Sequence, residues 1–297
     1  MTSGLSPELV GAYLRRLGID EPGPPSVAAL FALQRAHVGR VPYENLDIQL
    51  GRPPGIDPEG SARRLAAGRG GYCFHLNGAF ALLLEALGYE VTRHVGGVYD
   101  DRASRKVSGN HLALSVRVPG DGGTNGDAGA YFVDTGLGDG PYEPLPLREG
   151  HWLQGGFAYT LTPLKNRTGW SFDNVGGPFP VMNFRSAPAT MADFAAEHVR
   201  LTTAADSGFV RTLAVLRRDA TGMDVLRGRT LSRVEAHTDP VKRELATPGE
   251  FFEVLAEVFG RELDDLDAAD RAALWTRATA PADPKEKAQE KEKEKQP

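Results

Sequence analysis

Apolar positions in the first forty residues recur at intervals of three and four. In SPELVGAYLRRLGI, Leu9, Val10, Tyr13, Leu14 and Leu17 repeat at helical spacing, Ser6 is placed to cap the start, and Gly18 follows the last turn as a stop. A second helix is predicted from near Ser26 through SVAALFALQRAHVGR. VPYENLDIQLGRPPGIDP is turn-rich, and EGSARRLAAGRGGY leads into the pair Gly70-Gly71. A strong helix follows from about Cys73 to Leu87, ended by Gly88. Beyond Gly88 the period shortens to two, which predicts strands over 90–99, 111–118 and 131–134, then 157–164 and 169–173. Between the second and third strands lies PGDGGTNGDAGA, expected to be a mobile loop. The pattern returns to helix at MADFAAEHVRL, to strands over 212–217, 221–225 and 229–235, and to a final helix from Phe251.

The chain has 297 residues, which suits two or three small units packed together. Apolar residues make up 41% and charged residues 25%, as in ordinary globular proteins. The net charge is -5, and the basic residues are scattered in short pairs such as Arg15-Arg16 and Arg217-Arg218. No basic face for nucleic acid is expected from them. The N-terminus has neither a basic start nor a continuous apolar run, and no segment approaches the roughly 20 apolar residues of a membrane helix. Cys73 is the one cysteine, so neither an internal disulfide nor a cysteine-built zinc site is expected, and no metal is called for. A lone thiol fits a cytoplasmic location. The tail from Lys285, KEKAQEKEKEKQP, is nearly all charge and cannot bury enough apolar surface to order itself.

Candidate chemistry centres on Cys73. Two glycines precede it in Arg69-Gly70-Gly71-Tyr72-Cys73, and a helix is predicted to start at it. A thiol at a helix N-terminus feels the positive end of the dipole, and the unpaired N–H groups there suit a developing oxyanion. Asn77, four residues on, shares its helix face. Cysteine count alone would equally describe a small buried apolar side chain. A nucleophilic cysteine needs a base, and the base needs an orienting partner. Of the seven histidines, His37 and His198 fall in amphipathic helices, His151 and His237 in loop-like sequence, and His94 in a strand where packing is the default. His111 opens a strand, and Asp134 closes the next one. If these two strands form a hairpin, His111 and Asp134 meet at one rim.

These segments resemble the arylamine N-acetyltransferases. The matching pieces occur in the family's order: VPYENLD, RGGYC with Asn77, LGYEVTRHVGGVY, HLALSV and VDTGLGDGPYEPLPL. The resemblance is clear to about residue 200 and weaker to about 275. It implies an α+β fold with a cysteine-protease-like Cys-His-Asp site. Its expected parts are an N-terminal helical domain (1–88) with the nucleophile, a β-barrel-like middle domain (89–190) with the His and Asp, a C-terminal α/β lid domain (191–280) and a disordered charged tail (281–297). It further implies catalytic Cys73, His111 and Asp134, and an ion pair of Arg69 with Glu44 that anchors the loop before Cys73. Gly136 and Gly138 are implied near bound coenzyme A, with acetyl-CoA as co-substrate and a small-molecule amine as acceptor. The expected reaction is ping-pong acetyl transfer through acetyl-Cys73. A second reading is an amide synthase that takes a longer acyl chain from acyl-CoA or from an acyl carrier protein as partner. His75 stands where the family usually has Glu or Gln; about 200° around the helix from Cys73, it is not expected to replace His111.

Overall fold

In the computed structural model, residues 4–120, 129–175 and 179–280 are described. The expected insertion loop and charged tail fall largely or wholly outside them. Helix α1 (Pro7–Leu17) starts where Ser6 Oγ accepts the Leu9 N–H and ends at Gly18, whose φ of 65° only glycine adopts cheaply. Ser26 caps α2 (Val27–Arg40) in the same way. The turn-rich stretch that follows holds a two-residue strand β1 (Tyr43–Glu44) and a short helix α3 (Leu46–Gln49). EGSARRLAA lies in α4 (Pro58–Ala66), capped by Asp57. Helix α5 (Cys73–Ala86) is buried over most of its circumference, with Phe74, Leu76, Phe80 and Leu84 all fully buried. That pattern marks a central helix, and it packs on α4, on the strand that follows it and on the strand after that.

Eight antiparallel strands come next: β2 (Glu90–Tyr99), β3 (His111–Arg117), β4 (Ala130–Val133), β5 (Leu145–Pro146), β6 (Gly150–Gln154), β7 (Phe157–Pro163), β8 (Gly169–Val175) and β9 (Val181–Pro188). Their order is β5-β4-β3-β2-β9-β8-β7-β6. The edge strands β5 and β6 are close neighbours in sequence, so the sheet curls into a nearly closed barrel around Phe132, Phe172, Phe184 and Tyr159. Alternation in the sequence indicated five of these strands. It missed β5, β6 and β9. The first is two residues long, β6 is an edge strand whose alternate residues face solvent, and β9 is buried on both sides only over its first half.

The last segment carries α6 (Ala195–Thr203), α7 (Gly208–Arg211), β10 (Ala214–Arg218), β11 (Gly222–Arg227), β12 (Thr230–Glu235), β13 (Val241–Glu244), α8 (Pro248–Glu257) and α9 (Ala268–Thr279). Its sheet has the order β1-β10-β11-β12-β13, with Tyr43 opposite Leu216. The edge strand β1 therefore comes from the chain's beginning, and Tyr43 also bridges to Gly71, two residues before Cys73. A separate apolar cluster (Phe251, Leu255, Phe259, Leu274) seals α8 and α9 onto this sheet. Among the described residues, no helix is long and apolar enough to cross a membrane.

Candidate active site

Cys73 is the first residue of α5 and is almost completely buried. The backbone before it turns sharply because two glycines allow it: a Cβ on Gly70 would lie 2.3 Å from the Pro42 carbonyl oxygen, and one on Gly71 would lie 2.8 Å from the His75 Cβ. The turn is pinned to β1, since the Glu44 N–H donates to the Gly71 carbonyl (2.8 Å) and the Gly70 N–H to Glu44 Oε1 (2.7 Å). Cys73 Sγ points toward the Asn110 carbonyl oxygen, 3.6 Å away, one residue before His111.

Strands β3 and β4 pair in antiparallel register, Leu114 opposite Val133, so His111 and Asp134 do come together at one end. His111 Nε2 lies 2.7 Å from Asp134 Oδ2, with both side chains buried. Cys73 also acts on the His111 ring, its sulfur favouring the charged imidazolium. Burial opposes a charge on His111, but the Asp134 carboxylate, the charge of a Cys73 thiolate and the hydrogen bond to Asp134 outweigh it and push the imidazole up to about 10.

Asn77 organises the other side of the carboxylate. Its Nδ2 donates to Asp134 Oδ1 (3.0 Å) and the Leu112 carbonyl (2.6 Å), and its Oδ1 accepts from the Thr135 N–H (2.8 Å) and hydroxyl (2.9 Å). Every polar group of this buried amide is satisfied. Gly136 donates its N–H to Asp134 Oδ1 (2.8 Å), and a Cβ there would lie 2.5 Å from Cys73 Cα, so the turn after Asp134 lies directly on the cysteine. Gly138 has φ of 81° and faces the Tyr43 ring. A small cavity of about 10 Å³, room for one water, touches Tyr43, Asp134, Thr135, Gly138 and Arg218 but not Cys73 or His111.

The expected Arg69–Glu44 ion pair is not formed. Arg69 Nη1 lies 3.3 Å from Asp47 Oδ1, and Nη2 bonds Asp265. The turn at Gly70 sends Arg69 toward the partly exposed rim, while Glu44 is buried against the Gly70 N–H and Arg261. Arg261 and Asp265 were out of reach of local reading because they lie about 190 positions downstream. Asn110 and Thr135 were missed too, though each adjoins a singled-out residue.

Five of the other histidines have partners elsewhere. His75 Nδ1 accepts the Tyr72 N–H (3.4 Å) at the α5 cap, and burial drives its protonation down to about 3. His37 sits 2.8 Å from the Tyr13 hydroxyl and is likewise lowered by burial to about 3. His198 bonds the Tyr72 hydroxyl. His94 pairs with Ser115, consistent with packing. His151 lies in strand β6, bonded to Thr160, rather than in a loop, because β6 pairs with β7. Among the described residues, no group of three or more His, Cys, Asp or Glu is placed to hold a metal.

Such a site, with a buried thiol at a helix start beside a paired imidazole and carboxylate, suits acyl transfer. The sequence profile of the N-acetyltransferase family matches residues 26–268, and the chain belongs to that family. A curated arylamine N-acetyltransferase of Mycolicibacterium smegmatis is 32% identical over 88% of this chain and 94% of its own length. The structure of Mycobacterium marinum arylamine N-acetyltransferase in complex with CoA superposes with a TM-score of 0.80 at 26% identity, covering 92% of this chain and all of that one. Proansamycin X synthase of Amycolatopsis mediterranei is 27% identical over 56% of this chain and 62% of its own.

Proposed function

We propose that the chain is an arylamine N-acetyltransferase that works by ping-pong, with acetyl-CoA as donor and an arylamine or arylhydrazine as acceptor. The observation that carries this reading is the buried His111–Asp134 pair beside Cys73, whose sulfur faces the residue before His111 at the start of α5. Cys73 reacts as a thiolate beside the His111 imidazolium, which Asp134 orients and stabilises. The thiolate attacks the thioester carbonyl. The tetrahedral oxyanion collapses, the carbon–sulfur bond to coenzyme A breaks, and the departing thiolate takes the His111 proton. The amine then attacks acetyl-Cys73, gives its proton to His111, and releases the amide and the Cys73 thiolate. Gly136 and Gly138, in the turn lying on Cys73, are assigned to the coenzyme A side of the site. Arg69, Glu44 and Asn77 support the site without touching substrate.

Mass spectrometry after mixing with acetyl-CoA and no acceptor tests the mechanism. One acetyl group on Cys73 is expected, and Cys73→Ser should lose turnover. An unmodified Cys73 together with a fully active Cys73→Ser would refute it. The match to proansamycin X synthase supports a second reading, an amide synthase with a longer acyl donor on coenzyme A or on a carrier protein. A panel of acetyl-CoA, longer acyl-CoAs and carrier-bound acyl groups separates the two. We further read the chain as a helical unit (1–88), a barrel unit (89–190) and a lid unit (191–280). Domain-wise proteolysis tests those bounds.

A further inference from the structure

The loop that delivers Cys73 to α5 is held from two directions. On one side β1 bonds it, as described. On the other stands Arg261, in the link between α8 and α9, and it is 4% exposed. Its Nη1 donates to the Gly68 carbonyl at 2.8 Å, and its Nε lies 2.8 Å from Glu44 Oε1, an ion pair in which the Nε–H itself is not aimed at the carboxylate. That same oxygen accepts the Gly70 N–H at 2.7 Å. Four residues beyond Arg261, Asp265 bonds Arg69. One guanidinium from the far end of the chain thus grips both the start of the Gly68–Tyr72 turn and the carboxylate that holds its middle. A buried ion pair is a poor way to add stability, because two charges must leave water. Its use is geometric: the directed Nη1 bond holds the Gly68 carbonyl while the same charge keeps Glu44 against the Gly70 N–H. Arg16 is the nearby cation, donating to Gly260 at 3.4 Å, and it does not reach the turn.

We propose that Arg261 is a positioning residue for the acyl-transfer reaction: through the Gly68 carbonyl and Glu44 it fixes the turn that aims Cys73 at His111. The C-terminal segment thereby forms part of the nucleophile's support, and the proposal rests on Cys73 being the nucleophile. In the full-length enzyme, Arg261→Met is expected to lower kcat by about 10- to 100-fold, the scale of a misplacement near 1 Å. The acceptor KM should stay within about twofold of the parent's, as for an interaction used only in the transition state. Alkylation by iodoacetamide at neutral pH, which reads Cys73 alone among thiols, should slow in parallel. Arg261→Lys keeps the charge but has one nitrogen for two acceptors, so it should recover part of kcat. Arg261→Met destabilises by leaving Glu44 buried and alone, so the double variant Arg261→Met/Glu44→Gln is the deciding protein. It should regain thermal stability and remain slow in both kcat and alkylation. If kcat and alkylation return with stability in the double variant, or if Arg261→Met keeps parental kcat, the proposal is overturned. Failure of the nucleophile reading shows separately, as full turnover by Cys73→Ser.

Discussion

Replacing Asp134 by Asn changes one buried atom and leaves the fold's contacts nearly intact. In the native site, Asp134 Oδ1 accepts from Asn77 and Gly136, and Oδ2 faces His111 Nε2 at 2.7 Å. An Asn side chain keeps the Oδ1 contacts and turns its NH₂ toward His111. The imidazole must then present a lone pair at Nε2 and carry its proton on Nδ1, and it loses the carboxylate that favours the imidazolium. The size of the effect follows from His111 itself. Burial works against its charge, yet its protonation stands at about 10 against 6.5, with Asp134 the largest of the raising influences. At about 1.36 kcal/mol per tenfold, that net preference is roughly 5 kcal/mol, so kcat/KM should fall by about three to four powers of ten. The loss for the equivalent change in a Ser-His-Asp enzyme is about 10⁴. Because the native value of His111 is raised, this stability contribution is whole below pH about 6.5 and disappears as pH rises through about 10. Parent enzyme should therefore lose thermal stability across that alkaline window, and Asp134→Asn should show a flatter profile. Steady-state release of coenzyme A and melting curves over pH measure both. Near-normal turnover by a folded Asp134→Asn would remove the carboxylate from the mechanism.

Acid should destabilise the protein through two other histidines, because His37 and His75 are buried neutral with protonation lowered from 6.5 to about 3. The unfolded chain binds these protons first, so stability is present above pH about 6.5 and is lost as pH falls toward about 3, on the order of 3 kcal/mol per His by pH ~4.5. Denaturant titrations at the two pH values should show His75→Gln, which can still accept the Tyr72 N–H, losing distinctly less than the parent; equal losses would contradict the burial argument. Gly136→Ala tests the turn on the cysteine: φ is not positive there, so the backbone tolerates alanine, but its Cβ would stand 2.5 Å from Cys73 Cα. We expect about 1–3 kcal/mol of overpacking in melting experiments and a kcat loss well beyond what that explains. Parental kcat in Gly136→Ala would show that the turn moves aside freely.

The local parts of this site are legible along the chain. Ser6, Gly18 and Ser26 mark helix ends by side-chain capping and positive φ, which need only neighbours. The glycine pair before Cys73 and the helix beginning at it are equally local, and period-two alternation marked both β3 and β4, with His111 and Asp134 at adjoining ends. Their meeting needed only a short-range antiparallel pairing. What tertiary structure alone decided is which charges meet. Arg69 and Glu44 are close in sequence and sit in matching motifs, yet backbone direction at Gly70 separates them, and each takes a partner from the C-terminal segment instead. The same holds for β1, whose two residues carry no strand signal and become one because β10 lies beside them. Periodicity encodes which face of an element is buried. It does not encode which distant element covers that face, because that choice is made by the summed packing of the whole chain.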